Sequence, residues 1–563
     1  MKIKCPRFFS LFLILSFSLC SISFVEAQTA PSIKWEKSYG GTNDEEVYSF
    51  QQTTDGGYIV AGLSNSTDGD VTGNHQSIYG PTYDYWIVKL DSVGGLQWEK
   101  SLGGSGVDVA YSIQQTKEGG YIVAGASNST DGDVTGYHPG VNSIGVTSDY
   151  WIVKLDSAGG ITWEKSLGGI GDDFAYSIQQ TTDGGYIVAG YSTSADGDVT
   201  GHHGDTTTSD YWIVKLHPTG DIQWEKSLGG SNYDQAQSIQ QTKDGGYIIA
   251  GLSNSANGDV TGNHGGVNND DWVVKLDSIG TLQWEKSLGG TGDDRGYSIQ
   301  QTTDKGYIVA GFSNSTDGDV TGNHGNYDYW IVKLDSTGAM QWEKSLGGSN
   351  DDEAYSIRQT TDGGYIVAGE SLSIDGDITG NHGYYDYWIV KLSSDGGIQW
   401  EKALGGSNSD GAEFANLTND GGCIVAGSSN SSDGEVTGNH PGTVGPTSDY
   451  WIVKLGITTD VNTSQSLLPT DFALLQNFPN PFSIATTIDF TLPEGENITS
   501  LKVYNQLGRE VADLTDHIHP IGHIRPMGNG TVEFDASNLS AGMYFYRLTA
   551  GKDVQSGTMA VVK

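Results

Sequence analysis

The chain has 563 residues, with 69 Asp and Glu against 29 Lys and Arg, which gives a formal charge of −40. This charge excludes binding to nucleic acid through phosphates, and it disfavours docking on an anionic membrane surface. Glycine accounts for 81 residues and aromatic side chains for 10% of the chain. Disordered chains are poor in Trp and Tyr, so this composition indicates an all-β protein with many turns.

The first 27 residues are typical of a secretory signal peptide. Basic residues in MKIKCPR precede an apolar, serine-interrupted stretch, and Val25-Glu26-Ala27 supplies the small residues that a signal peptidase reads. The apolar stretch is shorter than a membrane span requires, and no other segment is apolar enough. We therefore expect an exported chain without a transmembrane segment once residues 1–27 are removed.

Seven internal repeats occupy residues 33–455. Each contains WEK, whose tryptophans are Trp35, Trp98, Trp163, Trp224, Trp284, Trp342 and Trp400. Each also contains DYWIVKL or DDWVVKL, with Trp86, Trp151, Trp212, Trp272, Trp330, Trp388 and Trp451. The short β-branched and aromatic runs between Gly, Asp and Asn turns predict four strands per repeat, which is the blade of a β-propeller.

The ends of the repeat region predict a closed ring. The chain begins with a WEK strand, Ile33 to Tyr39, that has no earlier partner, and the seventh repeat ends at Leu455 without such a strand. The first strand therefore completes the last blade, since an open array would leave both edges exposed. The predicted fold is an all-β, seven-bladed propeller closed by its N-terminal strand.

A second domain is expected after a linker at residues 456–470. Alternating segments such as TTIDFTL and MYFYRLTA predict a small immunoglobulin-like β-sandwich at residues 471–563. The segments QNFPNPF, LKVYNQLGREV and FDASNLSAGMYFYRL, together with the terminal Lys563, make this domain resemble the type A sorting domain of the type IX secretion system. The resemblance implies that the machinery of this system is a partner and that the protein is secreted or held at the outer cell surface.

Acidic loops recur on one face of the predicted ring. The loop between blades places an acid four residues after a glycine pair, at Glu45, Asp108, Asp173, Asp234, Asp294, Asp352 and Asp410. The long loop between the second and third strands carries DGDVTGNH or a near copy. Both loops lie at the same end of an up-and-down blade, so we expect a ring of carboxylates on that face.

The DGDVTGN loops resemble the first half of an EF-hand calcium loop. Asp, Asp, Thr and Asn stand at positions 1, 3, 5 and 7, with Gly at position 6. The candidate calcium ligands are Asp68, Asp70, Asp131, Asp133, Asp196, Asp198, Asp259, Asp317, Asp319, Asp375, Asp377 and Asp433. The alternative is that these side chains satisfy their own loop backbone through Asx-turns. The histidine that follows each loop is a poor calcium ligand, so we expect it to pack or form a hydrogen bond.

An enzyme needs unique residues at one active site, but departures from the repeat, such as Asn257 and Glu413-Phe414, are scattered along the chain. We therefore expect a secreted or cell-surface protein that binds or scaffolds, with a glycan or protein ligand. Two alternatives are an extracellular hydrolase or lyase acting on polysaccharide, and a structural surface protein whose loops bind only ions.

Overall fold

The chain divides into two compact units, Met1–Thr458 and Thr459–Lys563. The computed structural model describes residues 30–456 except 79, 143–144, 265, 419–421, 441 and 443–444, and then residues 473–474, 477, 482–492, 498–506, 508–515, 519–520, 528–550 and 553–562. The predicted signal peptide, and the linker apart from Gly456, lie outside these residues. The described residues contain no α-helix, so the predicted all-β class is confirmed.

The described part of the first unit contains seven four-stranded antiparallel sheets, which are the blades. The first strands are Glu45–Gln52, Asp108–Gln115, Asp173–Gln180, Asp234–Gln241, Asp294–Gln301, Asp352–Gln359 and Asp410–Leu417. The second strands are Tyr58–Ser64, Tyr121–Ser127, Tyr186–Ser192, Tyr247–Ser253, Tyr307–Ser313, Tyr365–Ser371 and Cys423–Ser429. First strands of neighbouring blades contact each other, so they surround an axial channel.

The outer half of each blade consists of the third and fourth strands. The third strands are Asp84–Leu90, Asp149–Leu155, Asp210–Leu216, Asp270–Leu276, Asp328–Leu334, Asp386–Leu392 and Asp449–Gly456. The fourth strands are Leu96–Leu102, Ile161–Leu167, Ile222–Leu228, Leu282–Leu288, Met340–Leu346, Ile398–Leu404 and, in the seventh blade, Ser32–Tyr39. Two small hairpins interrupt the long loops, Gln76–Ser77 with Gly80–Pro81 and Val141–Asn142 with Gly145–Val146.

The core of the first unit lies between neighbouring blades. The tryptophan of every third strand is buried, and the tyrosine before it packs on the next blade. The Tyr85 ring lies 4.6 Å from the Trp151 ring, and its hydroxyl donates to the Trp151 carbonyl at 2.9 Å. In the fourth blade, Asp271 replaces this tyrosine. Because the contact joins two blades, one blade alone would leave its largest apolar side chains exposed to water.

The seventh and first blades meet through the same contacts as the other blades. The N-terminal strand pairs antiparallel with Asp449–Gly456. The Tyr450 hydroxyl donates to the Trp86 carbonyl at 3.0 Å, and the Glu45 amide donates to the Ser448 carbonyl at 2.6 Å. The predicted seven-bladed propeller, completed by the N-terminal strand, is confirmed.

The second unit contains two four-stranded antiparallel sheets among its described residues. One sheet contains Ala473–Leu474, Ala485–Leu492, Gly528–Asp535 and His519–Pro520. The other contains Glu510–Asp513, Ile498–Asn505, Gly542–Ala550 and Asp553–Val561. Buried side chains from both sheets, including Phe490, Val532, Val503 and Leu548, form one apolar core. The unit is thus the small β-sandwich that the sequence predicts.

The closing strand should contribute as much stability as any other fourth strand. Glu36 accepts from the buried Trp451 Nε1 at 2.9 Å, as Glu225 does from the Trp212 Nε1 at 3.0 Å. We expect Glu36→Ala and Glu225→Ala to lower the free energy of unfolding equally, by about 1–3 kcal/mol, because each leaves a buried indole N–H without an acceptor. Urea unfolding of both variants measures this, and a neutral Glu36→Ala beside a destabilising Glu225→Ala would contradict closure.

Candidate functional site

The inter-blade acids, which the sequence predicts to form a ring of carboxylates on one face, are buried. All seven have 0% relative exposure: Glu45, Asp108, Asp173, Asp234, Asp294, Asp352 and Asp410. Asp173 accepts hydrogen bonds from the Gly169 amide and the Ser194 hydroxyl, both at 2.9 Å. The carboxylate therefore holds the tight turn that leads from one blade into the next. The predicted ring of carboxylates is thus present at this end of the blades, but at these positions it lies below the surface because each acid faces its own turn.

A second buried acid stands beside each of these, at the start of each third strand. The loop histidine donates its backbone amide to this acid, and its Nδ1 lies 2.6–2.8 Å from the same carboxylate, as His203 does to Asp210. The expectation that the histidine forms a hydrogen bond is thus confirmed. A Cβ on Gly229 would lie 2.5 Å from Asp234 Oδ2 and 2.9 Å from Asp210 Oδ1, so two buried carboxylates converge there.

The first aspartate of each DGD loop binds the inter-blade turn. Its Oδ1 accepts from the backbone amide that follows the glycine pair, at 2.7–2.9 Å, in Asp68, Asp131, Asp196, Asp317, Asp375 and Asp433. In the fourth blade the same bond is made by Asn257, at 2.9 Å to the Ser231 amide.

The second aspartate makes a longer bond. Its Oδ2 lies 3.3–3.4 Å from the amide nitrogen of the first glycine in Asp70, Asp133, Asp198, Asp259, Asp319 and Asp377. The loop threonine points elsewhere, since Thr200 donates to Glu225 at 2.5 Å. The two loop aspartates therefore bind the backbone of the inter-blade turn and not that of their own loop, so these bonds are not the Asx-turns of the alternative.

Calcium binding at these loops stays a prediction. Within the described residues, no group of three or more His, Cys, Asp or Glu side chains is placed to hold a metal ion. The loops instead connect three elements of the fold, which are the inter-blade turn, the fourth strand and the buried acid. A sequence spacing that suits calcium here also suits a loop that is fixed entirely by protein donors and acceptors.

The repeats differ most at one cross-strand pair near the long-loop end of the channel. The pair joins the second residue of the first strand to the sixth residue of the second strand. From the first blade to the seventh it is Glu46 with Leu63, Val109 with Ala126, Phe174 with Tyr191, Gln235 with Leu252, Arg295 with Phe312, Glu353 with Glu370, and Gly411 with Ser428. The neighbouring core positions are almost identical in all seven blades. The variation makes this end of the channel asymmetric.

Beside this pair, a cavity of about 370 Å³ is lined by tyrosines and is called here the tyrosine cavity. Five blades contribute one tyrosine each from the same position of the first strand: Tyr48, Tyr111, Tyr176, Tyr297 and Tyr355. The fourth and seventh blades contribute Gln237 and Glu413 from this position. The Tyr48 and Tyr111 rings lie 5.0 Å apart, and those of Tyr111 and Tyr176 lie 4.9 Å apart. Aromatic walls with a few polar groups are typical of ligand sites.

Arg295 and Glu413 line one side of the tyrosine cavity, and further charged groups of the fifth and sixth blades contact its lining residues. Tyr355 donates to Glu353 at 2.7 Å, and Arg295 pairs with Asp293 at 2.8 Å. Burial raises the pKa of Glu370 to about 7, and the charge of Glu353 raises it further. Burial, together with the charge of Glu370, also raises the pKa of Glu413 well above its usual value. Acids that hold a proton near neutral pH are suited to donate as well as accept hydrogen bonds.

Sequence reasoning missed this cluster. Glu413 is visible as a departure from the repeat, but Glu353, Glu370 and Arg295 lie 43 to 118 residues before it along the chain. The signal that could have found them is position-by-position comparison of the seven repeats, which shows that the differences fall on one strand pair.

Comparison with known proteins agrees with the predicted C-terminal domain. Residues 476–563 match the family described as the secretion system C-terminal sorting domain. The predicted resemblance is confirmed, and it indicates export through this system to a secreted or cell-surface location. Among the described residues, none forms a helix with the length and hydrophobicity that a membrane crossing needs.

A relative is described as regulatory protein FlaEY, from Caulobacter vibrioides (strain ATCC 19089 / CIP 103742 / CB 15). It is 26% identical over 194 residues, which are 33% of this chain and 20% of that protein. The chain therefore spans about a fifth of the length of this relative.

The buried acids should make the propeller more stable in mild acid. Burial raises the pKa of Asp173 to about 6 and of Asp234 to about 7, above the ordinary aspartate value of 3.8. Between about pH 4 and pH 7 the folded chain then holds more protons than the unfolded chain, so the free energy of unfolding falls as pH rises through this window. We expect greater resistance to urea at pH 5 than at pH 7.5.

The Asp234→Asn variant serves as control, because it removes one titrating group while keeping a side-chain oxygen. Its difference in unfolding free energy between pH 5 and pH 7.5 should be smaller than that of the unchanged chain. Stability that is constant or rises over this range would show that the buried acids are ionised in the folded state.

The calcium hypothesis predicts selective stabilisation. A ligand that binds only the folded chain raises its stability by about 2.7 kcal/mol per site at a hundredfold excess over Kd. Thermal melting in chelator, in millimolar calcium and in millimolar magnesium, at constant ionic strength, measures this effect. A larger increase in calcium is expected if Asp317, Asp319 and their equivalents are ligands, because magnesium demands tighter octahedral geometry. Equal increases of the melting temperature in calcium and in magnesium would show that the ions only screen the negative charge of the chain.

Proposed function

We propose that this protein is a secreted or cell-surface binding protein that takes its ligand into the tyrosine cavity of the propeller. The single observation that supports this is the position of the differences between the repeats. A ring with only a structural role can keep seven equal blades. An asymmetric ligand, in contrast, needs different side chains around the axis, and the differences fall at this end of the channel.

The lining of the tyrosine cavity favours a carbohydrate. Flat tyrosine rings offer apolar faces for the C–H side of a sugar, while their hydroxyl groups stay polar. Arg295 and Glu413 line one side only and supply donors and acceptors for sugar hydroxyl groups, and Glu353 holds the hydroxyl of Tyr355 on that side. A volume of about 370 Å³ lies within the usual range for small-ligand pockets, so we propose a glycan unit as the ligand.

A glycan array probed with the purified full-length chain tests this proposal, followed by calorimetry on the best binder. The Tyr111→Gln variant is informative because Gln237 already occupies the equivalent position in the fourth blade. We expect it to fold normally and to bind at least about tenfold more weakly, which corresponds to about 1.4 kcal/mol.

Tyr384→Gln is the matched control, since Tyr384 is 64% exposed on a long loop outside the cavity. Its affinity should equal that of the unchanged chain. The absence of any bound glycan, or equal affinity of the Tyr111→Gln variant, would contradict the proposal.

One observation favours the second candidate, an extracellular polysaccharide hydrolase or lyase. Glycan cleavage commonly uses two carboxyl groups, one of them protonated, and burial raises the pKa of both cross-strand neighbours Glu353 and Glu370, that of Glu370 to about 7. Incubation of the full-length chain with a polysaccharide panel separates the two functions. Product release that is lost in Glu370→Gln would favour the enzyme, and binding without release would favour the binding protein.

A further inference from the structure

The channel contains a second cavity, of about 260 Å³, nearer the tight-turn end. Five glutamines at one strand position line it: Gln51, Gln114, Gln179, Gln240 and Gln300. The side-chain oxygen of each accepts a hydrogen bond, at 2.6 Å, from the backbone amide of the next blade. We call this space the glutamine cavity and this series of bonds the glutamine ladder.

The glutamine ladder leaves donors along the cavity. A backbone N–H can only donate, so the atom that faces it must be the glutamine Oε1, and each Nε2 is left over. Within the described residues these five Nε2 groups have no protein acceptor. Five amide donors at one level of the channel can therefore turn toward the same space.

The sixth blade departs from the glutamine ladder, because Arg358 replaces the glutamine. A guanidinium group has no acceptor, so it cannot bind the next blade in the way that a glutamine does. Arg358 donates through Nη1 to the Ile357 carbonyl at 2.8 Å and to Ser298 at 3.2 Å, and its Cζ lies 5.1 Å from the Phe414 ring centre. The substitution thus loses a bond between blades and adds a positive charge to the channel.

Nothing acidic balances that charge among the described residues. No carboxylate there lies within ion-pair distance of Arg358, although the whole chain carries a charge of −40, and the lining of the glutamine cavity includes no Asp or Glu. Burial lowers the pKa of Arg358 to about 10, so it still carries its charge at neutral pH. A partly buried charge without a counter-charge is unfavourable, and an anion in the cavity would supply one.

We propose that the glutamine cavity binds an oxyanion group, a carboxylate, sulfate or phosphate, between the Arg358 guanidinium and the glutamine amides. Arg358 Nε and Nη2 have no acceptor within the described residues and form the planar pair that binds two oxygens of such a group. The glutamine Nε2 groups donate to the remaining oxygens. This site does not depend on glycan binding in the tyrosine cavity.

Calorimetric titration of the purified full-length chain tests the site. The probes are sodium sulfate, sodium phosphate and sodium glucuronate, each with sodium chloride added to constant ionic strength. We expect saturable binding of at least one probe with one site per chain, and the tightest probe identifies a tetrahedral or a planar oxyanion. In Arg358→Gln the binding should weaken at least tenfold. This variant restores the residue of five other blades and should keep the thermal midpoint of the unchanged chain.

Lys243→Gln is the matched control, since it removes one positive charge from an exposed turn at the same end of the ring. It should bind the anion as the unchanged chain does. The proposal is overturned if no probe saturates, if Arg358→Gln binds as tightly as the unchanged chain, or if Lys243→Gln loses as much affinity.

Discussion

The ring depends on a buried carboxylate at the start of every first strand. Each blade must pass the chain from its outer strand to the innermost strand of the next blade through a turn of two glycines. In the third blade Asp173 holds this turn by accepting the Gly169 amide, and a Cβ on Gly168 would lie 2.3 Å from that carboxylate. The short connection is possible because the acid supplies acceptors that the turn lacks and the glycine leaves room for it.

This constraint explains which positions can vary. Side chains that hold the inter-blade turn, the Tyr–Trp contacts between blades and the Trp–Glu bond within a blade are repeated almost without change, because each has partners on two elements. Apart from the glutamine ladder, side chains of the first strand that face the channel have few such partners. Differences between blades accumulate there, as in Glu413, Asn416 and Arg358, and they create an asymmetric interior in a nearly symmetric ring.

The strands, the closure of the ring and the sorting domain could be predicted from sequence, because they depend on periodic residues and on long local patterns. The channel could not, and a β-bulge gives the reason. In every blade the register of the first strand shifts at the tyrosine position, for example between Val47 and Ser49. Simple alternation places Tyr48 and Gln51 on opposite faces, whereas the bulge brings both to the channel. Likewise, the spacing of DGD gave no indication that Asp68 is committed to the Thr42 amide.

The channel is electrostatically polar along its axis. The tyrosine and glutamine positions are three residues apart on each first strand, or about 10 Å at a rise of about 3.3 Å per residue. Over that distance the lining changes from tyrosines with Glu413 and Arg295, which is paired with Asp293, to glutamine amides and the guanidinium of Arg358. An anionic group is thus attracted more strongly at the glutamine level, because Arg295 at the tyrosine level already has a carboxylate partner and no carboxylate lies within ion-pair distance of Arg358 among the described residues. A ligand with one anionic end and one neutral, hydroxyl-rich end would therefore bind in a single orientation, with its charge toward Arg358 and its neutral end among the tyrosines.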